Sequence, residues 1–445
     1  MDKNNGAIYD ARKLGKPKMI ILGVQHMFAM FGATILVPIL TGLDISTTLL
    51  MAGLGTLLFH CITKFKVPAF LGSSFAFLGG YAAIKAFSPN DPNSMLPYAC
   101  LGVACAGLIY FILAAVIKAV GIEKVMRFFP PVVTGPIIIA IGLGLAPSAV
   151  SNCTTNWFLA VVALAVIVVF NIWGKGMAKI IPIILGLLIS YGTGLVLYFI
   201  SQANPDLIQN VPWLFSGGAD ANGVYQPIFD FTSLNTICDN ISKGHIFGSE
   251  GLIGIPIHWD KTVFGGIDYS NGALIASSII AIVPIAFATM MEHIGDICAI
   301  GSTTGNNYIK DPGLHRTLVG DGLATTLASL FGGPANTTYG ENTGVLALTR
   351  VYDPRVIRIA AYFAVAVSFF PIVSVIIGSI PSCIIGGISF VLYGMISAIG
   401  VRNVVENKVD FTKSRNLIVA AVILVCALGL SSDTVSFTIG SARSE

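Results

Sequence analysis

Val67-Pro68-Ala69-Phe70-Leu71-Gly72-Ser73-Ser74-Phe75-Ala76-Phe77 and Pro334-Ala335-Asn336-Thr337-Thr338-Tyr339-Gly340-Glu341-Asn342-Thr343-Gly344 are short apolar segments interrupted by Gly and Pro, one in each half of the chain. Neither reads as a continuous helix, and both carry polar groups within otherwise apolar surroundings. At membrane depth, broken backbone is tolerated only where protein or an aqueous cavity satisfies its N–H and C=O groups. A matched pair of such breaks therefore points to a binding site built from discontinuous helices.

The rest of the chain supports a membrane setting. Of 445 residues, 55% are hydrophobic and only 11% charged, and the mean hydropathy is +0.82. A soluble chain carries about 25% charged residues, so the composition describes a polytopic membrane protein. The net charge of +3 says little by itself. The eight cysteines show no C-x-x-C spacing, which removes the usual zinc and redox motifs. Most of them lie in apolar stretches as small core residues. The N-terminus is polar and basic and leads straight into a full-length span, with no cleavable signal pattern.

A span needs roughly 20 apolar residues. That rule places spans near 18–40, 45–64, 67–86, 97–119, 129–149, 156–173 and 178–201. After a polar stretch, 202–271, spans resume near 272–292, 317–333, 335–349, 356–379, 383–400 and 415–431. With the N-terminus in the cytoplasm, 21 of the 25 Lys and Arg residues fall inside; only Lys85, Lys243, Lys261 and Arg443 fall outside. The 202–271 stretch is then an external loop. Cys153 and Cys238 share the outer face, where a disulfide between them is chemically allowed. Seven spans before the loop give the two halves opposite topology, the inverted-repeat arrangement, with the broken third span matching the broken tenth. A second set of seven would need one more helix after residue 431, so the last, fourteenth span is expected to be missing.

Ionisable groups within spans are costly and mark function. Glu292 closes the eighth span, and Asp296 sits one turn beyond it on the same face. Two carboxylates so placed raise one another's affinity for a proton. Glu341 lies in the second broken segment, where a carboxylate also suits the positive end of a half-helix. His26 lies in the first span, as a proton site or an interhelical hydrogen bonder. Asp321 reads as a polar contact between core helices. Phe75 and Tyr339 offer faces for a flat ring, or plain packing. Half-helix N-termini present N–H groups to acceptor oxygens, and carboxylates accept N–H donors. A nucleobase fits that set; other small polar anions or amides fit it as well. Glu292, His293 and Asp296 form no H-E-x-x-H metal motif, and no nucleotide-binding G-x-x-x-x-G-K-[ST] occurs, so a metal hydrolase and a primary pump are both disfavoured.

Several stretches together resemble the nucleobase–ascorbate transporter family, in its bacterial uracil:proton symporter branch. They are Gln25–Thr34, Gly72–Phe77, Glu292–Gly295, Asp311–Arg316, Asn336–Val345 and Leu348–Tyr352. The resemblance runs from about residue 17 to 431. It implies an all-α polytopic fold of 7+7 inverted repeats with two short midplane strands in broken spans 3 and 10. It also implies a core domain (17–128 and 272–380) and a gate domain (129–201 and 381–445), separated by the 202–271 extracellular loop.

By the same resemblance, Glu292 and Glu341 hydrogen-bond the base, the Phe75 and Gly340 amides hold its carbonyl oxygens, and Tyr339 lines the site. Glu341, Glu292, Asp296 and His26 form the proton-coupling set. One departure is that uracil symporters carry His where this chain has Asp296, whereas purine members often carry an acid there. The expectation is therefore a proton-coupled uracil importer, not an enzyme, with no cofactor, metal or nucleic-acid partner. Xanthine or uric acid uptake and a passive nucleobase facilitator are the alternatives. The implied setting is a multi-pass protein of the inner (plasma) membrane, lipid-embedded, N-terminus cytoplasmic, and capable of forming a homodimer.

Overall fold

Long apolar runs without strand-like alternation form the helices of this protein, seen in a computed structural model that describes residues 7–127, 130–220 and 222–430. The principal elements are α1 (Lys16–Thr41), α2 (Ile45–Ile62), β1 (Leu71–Ser73), α3 (Leu78–Lys85), α4 (Leu96–Val120), α5 (Pro131–Cys153), α6 (Trp157–Trp173) and α7 (Pro182–Ala203). They continue with α8 (Gly272–Ile282), α9 (Ile285–Thr304), α10 (Leu314–Leu330), β2 (Asn336–Thr338), α11 (Glu341–Thr349), α12 (Pro354–Ser368), α13 (Pro371–Gly378), α14 (Ser382–Glu406) and α15 (Ser414–Leu430). Helix ends follow local chemistry. Asp44 accepts the Thr47 N–H at 2.7 Å to open α2, and Asn156 accepts the Leu159 N–H at 3.1 Å to open α6. Gly42, at φ +85°, closes α1 in the left-handed conformation.

Among the described residues, seven helices are long and apolar enough to cross a membrane, and the pair α12–α13 makes an eighth if counted as one. This is a mostly helical, multi-pass membrane protein. Each expected span coincides with a helix or a broken helix, with two corrections. The span expected at 272–292 runs on to Thr304, so Glu292 lies in mid-helix and not at a helix end. The span expected at 356–379 bends by 88° between α12 and α13, where Pro371 has no N–H to continue the ladder and disfavours helical geometry at Phe370.

The described chain divides into two units: one holds the chain before Pro130 together with Ile246–Ser374, the other Pro130–His245 together with the chain from Val375. The expected external loop is thus shared between the units. Its first part, in the second unit, carries a small hairpin (Ser216–Ala219 with Tyr225–Pro227) and the helix Thr232–Ser242. Its second part belongs to the first unit, where the Pro256 carbonyl accepts the Thr47 hydroxyl at 2.7 Å. The cysteine pairing does not form: Cys153 is buried, Cys238 is exposed, and both are free.

Helix contacts within each unit occur in matched pairs. In the first unit α2 packs on α12 as α10 packs on α4, and α1 packs on α12 as α8 packs on α4. In the second, α14 packs on α6 as α15 packs on α5. That pattern is what an exchange of two repeats, α1–α6 for α8–α15, would leave. Glycines permit the close crossings. A Cβ on Gly107 would stand 2.7 Å from the Gly322 carbonyl oxygen, and one on Gly400 would stand 2.7 Å from that of Gly135.

Candidate functional site

The two broken segments meet. β1 pairs antiparallel with β2, with Leu71 opposite Thr338, Gly72 opposite Thr337 and Ser73 opposite Asn336. The ladder extends through Ser74 N–H to the Ala335 carbonyl and Tyr339 N–H to the Phe70 carbonyl, each at 3.0 Å. Pro68 and Pro334 stand just before these strands, where a missing N–H and an enforced extended neighbour favour strand over helix. Buried side chains of neighbouring helices satisfy the backbone that lipid could not. The Leu71 N–H donates to Thr56 Oγ1 at 2.9 Å and Thr325 donates to the Asn336 carbonyl at 2.9 Å; in return the Asn336 side chain of β2 donates to the Met51 carbonyl of α2 at 2.7 Å.

Each strand leads into a short helix with no side-chain cap. A 3-10 turn at Phe75–Phe77 opens α3 after Ser74, and α11 opens after Gly340; neither Ser74 nor Gly340 caps through a side chain. First-turn N–H groups without a cap look for an external acceptor. Buried polar atoms with no hydrogen-bond partner among the described residues cluster at the same ends: Ser74 Oγ, Asn342 Nδ2 and Thr343 Oγ1. Leaving such an atom unpaired costs about 1–3 kcal/mol, a cost that a polar ligand would remove.

The sequence-expected residues divide by placement. Phe75 is buried, Gly340 half-buried, and Asp296 on α9 approaches Gly340 closely, with its Oδ1 only 2.7 Å from where a Cβ at 340 would stand. Glu292 lies on the same helix one turn earlier and is exposed. Glu341 begins α11, and its side chain lies outside the described residues. His26 is fully buried and its Nδ1 lies 3.2 Å from Asn342 Oδ1, tying α1 to α11. Tyr339 is 5% exposed; its ring covers Gly72 of the opposite strand, and its hydroxyl donates to the Ser73 carbonyl at 2.9 Å.

A second buried group was not singled out as a site from sequence. Asp321 Oδ1 accepts the Thr338 N–H at 2.9 Å and lies 3.4 Å from His293 Nδ1, which in turn is 3.0 Å from Thr338 Oγ1. Asp321 and His293 are both essentially inaccessible. Asp321 thus joins α10 to a strand, not only helix to helix. The available signal was a carboxylate between two glycines in an apolar span, with a histidine directly after Glu292. Among the described residues no group of three or more His, Cys, Asp or Glu side chains could hold a metal ion.

Comparison with known proteins places this geometry in context. Residues 17–435 match the model of a permease family. The chain is 39% identical to a uracil permease of Bacillus caldolyticus over 421 residues, covering 92% of this chain and 85% of the relative. It is 38% identical to a uracil permease of Bacillus subtilis (strain 168), with the same coverage. It is 35% identical to a putative pyrimidine permease of Escherichia coli (strain K12), covering 98% of this chain and 89% of the relative. Among solved structures, the transmembrane domain of a cyanobacterium bicarbonate transporter, BicA, superposes with a TM-score of 0.65 at 14% identity, covering 96% of this chain and 98% of that one. SLC26A9 superposes at 0.53 and 10% identity, covering 94% of this chain and 63% of that one. At such identities these two likenesses speak for the fold alone.

Proposed function

This chain belongs to the nucleobase–ascorbate transporter family of permeases, and on that premise we propose that it is a secondary transporter importing uracil together with protons. The observation that carries the proposal is the β1–β2 pairing, which brings two uncapped half-helix N-termini together at one place in the first unit. Uracil has ring N–H donors and two carbonyl acceptors. Backbone N–H groups at Phe75 and Gly340 suit the carbonyls, and the carboxylates of Glu292 and Glu341 suit the ring N–H groups. Asp296 and His26 complete the proposed proton-coupling set. In this reading Tyr339 supports the site from behind, because its hydroxyl and ring are already engaged.

The proposed architecture is the 7+7 inverted repeat, with the first unit as the moving core and the second as the gate in an alternating-access cycle. The expected fourteenth element would follow α15, and residues 431–445 lie outside the described residues. The proposed setting is the inner membrane, with the N-terminus cytoplasmic and the gate domain pairing two copies.

A purine substrate is the second reading. It rests on one observation: the acid at position 296 stands against Gly340. Radiolabelled uracil uptake decides between them, in cells lacking their own uracil transporter, at acid and alkaline pH and with and without an uncoupler. Uptake greater in acid, abolished by uncoupler and indifferent to unlabelled xanthine supports uracil–proton symport. Xanthine competition moves the substrate to a purine. Uptake indifferent to uncoupler makes the protein a facilitator.

A further inference from the structure

Helix α1 contains a proline, Pro38, in its interior. The residue four positions earlier is Thr34. In an unbroken helix its carbonyl would accept the N–H of residue 38, but proline has none to offer, and its ring pushes that carbonyl away. The freed Thr34 carbonyl is not left bare. It accepts the Ser73 hydroxyl at 3.0 Å, from the last residue of β1. The Ser73 carbonyl in turn accepts the Tyr339 hydroxyl at 2.9 Å. The Thr34 hydroxyl lies 3.4 Å from the same phenol oxygen. All three side chains are buried. The Tyr339 ring closes over Gly72, where a Cβ would stand 2.5 Å from the ring and 2.8 Å from Thr34 Oγ1.

We propose that Pro38 is a positioning residue: by releasing the Thr34 carbonyl it lets α1 hold Ser73, and through Ser73 the Tyr339 hydroxyl, so that both broken segments are pinned to one point on α1. Ser73 stands two residues before Phe75, and Tyr339 one before Gly340. The brace therefore fixes the two half-helix N-termini relative to each other. Strand pairing alone supplies three residue pairs with one further hydrogen bond at each end, and so short a pair is marginal without side-chain support. Replacing Pro38 by alanine would restore an N–H at position 38, which would compete with Ser73 for the Thr34 carbonyl. This proposal rests on the site assigned above and deepens it.

The test compares wild type with Pro38→Ala, Ser73→Ala and the double variant, purified and reconstituted. Each single change should raise the uracil KM about tenfold with Vmax within about twofold, because positioning and not turnover is lost. The double variant should be no worse than either single, since both remove the same bond. Hydrogen exchange of peptides spanning Leu71–Ser73 and Asn336–Thr338 gives a readout that needs no substrate, and it should quicken in every variant. Additive losses in the double variant, or exchange unchanged by Ser73→Ala, would overturn the brace. Should Pro38→Ala not fold, Ser73→Ala alone decides by the same two measurements. Quickened exchange in a protein whose wild type carries no uracil would keep the brace and remove the substrate assignment instead.

Discussion

Gly340 and Asp296 face each other so closely that any Cβ at position 340 would stand 2.7 Å from the carboxylate Oδ1. This ties the start of α11 to the middle of α9, the two helices that carry the candidate carboxylates. Gly340→Ala should therefore displace the Asp296 carboxylate and lower uptake by about tenfold or more, an effect that 1.4 kcal/mol of misplacement is enough to produce. Combining it with Asp296→Ala should relieve the clash but not restore coupling to protons, read as loss of uncoupler sensitivity. Gly340→Ala with unchanged uptake would separate position 340 from the site.

Asp321 on α10 holds β2 through the Thr338 N–H. Asp321→Ala would leave that buried N–H unpaired, at a cost of about 1–3 kcal/mol, and should depress the thermal midpoint as well as uptake. Asp321→Asn keeps an acceptor oxygen and the side-chain volume, so it should preserve most of the stability. Equal losses in both variants would show that the Thr338 bond is not what Asp321 contributes.

In the second unit, the α5–α14 crossing rests on backbone contact. A Cβ at Gly142 would stand 2.4 Å from the Tyr393 carbonyl oxygen, whereas one at Gly144 meets nothing within 4 Å. Gly142→Leu should destabilise by about 1–3 kcal/mol or more through overpacking, seen as a lower unfolding midpoint. Gly144→Leu serves as the matched control and should leave the midpoint near wild type.

The N-terminal segment is fastened to the α11–α12 turn. The Ile8 N–H donates to the Arg350 carbonyl at 2.8 Å, and the Ala11 N–H donates to Asp353 Oδ2 at 2.7 Å. Asp10 bridges Arg12 and Arg355, and its hydrogen bond to the Arg12 guanidinium holds its carboxyl down to about 2, from an ordinary 3.8. A depressed carboxyl contributes stability that is full above the unfolded value, near pH 4, and is lost as pH falls through about 2. Across about pH 5 to 8, where histidines titrate, this contact stays charged. Asp10→Asn should thus leave the shape of the uptake–pH profile unchanged, even if it lowers the overall level. A shifted profile would implicate Asp10 in coupling.

Much of the helical layout was legible because a spanning helix is dictated by length and hydrophobicity alone. The two broken segments were equally legible, since Pro68, Pro334, Gly72 and Gly340 interrupt apolar runs in ways no continuous helix tolerates. The α12–α13 bend escaped because a proline in an apolar run allows either a kink or a stop, and packing selects between them. The continuation of α9 to Thr304 escaped because Glu292 and Asp296 look like a polar end when no tertiary partner is in view. Tyr339 allowed two readings from sequence, a face for a flat ring or plain packing, and its ring lies on Gly72 because the opposite strand offers a surface without a side chain there.

By itself the sequence determined a multi-pass helical chain with two paired interruptions, and a family whose motifs fall on those interruptions. Those properties depend on residue type and on spacing along the chain. Only the tertiary structure decided which groups meet: the β1–β2 register, the Asp321–Thr338–His293 cluster, the His26–Asn342 contact and the Thr34–Ser73–Tyr339 brace. Each joins residues far apart in the chain, and no local propensity encodes a hydrogen bond across that separation. What fixes it is that membrane-depth backbone must find partners inside the protein, and the packing of the helices determines which partners stand within reach.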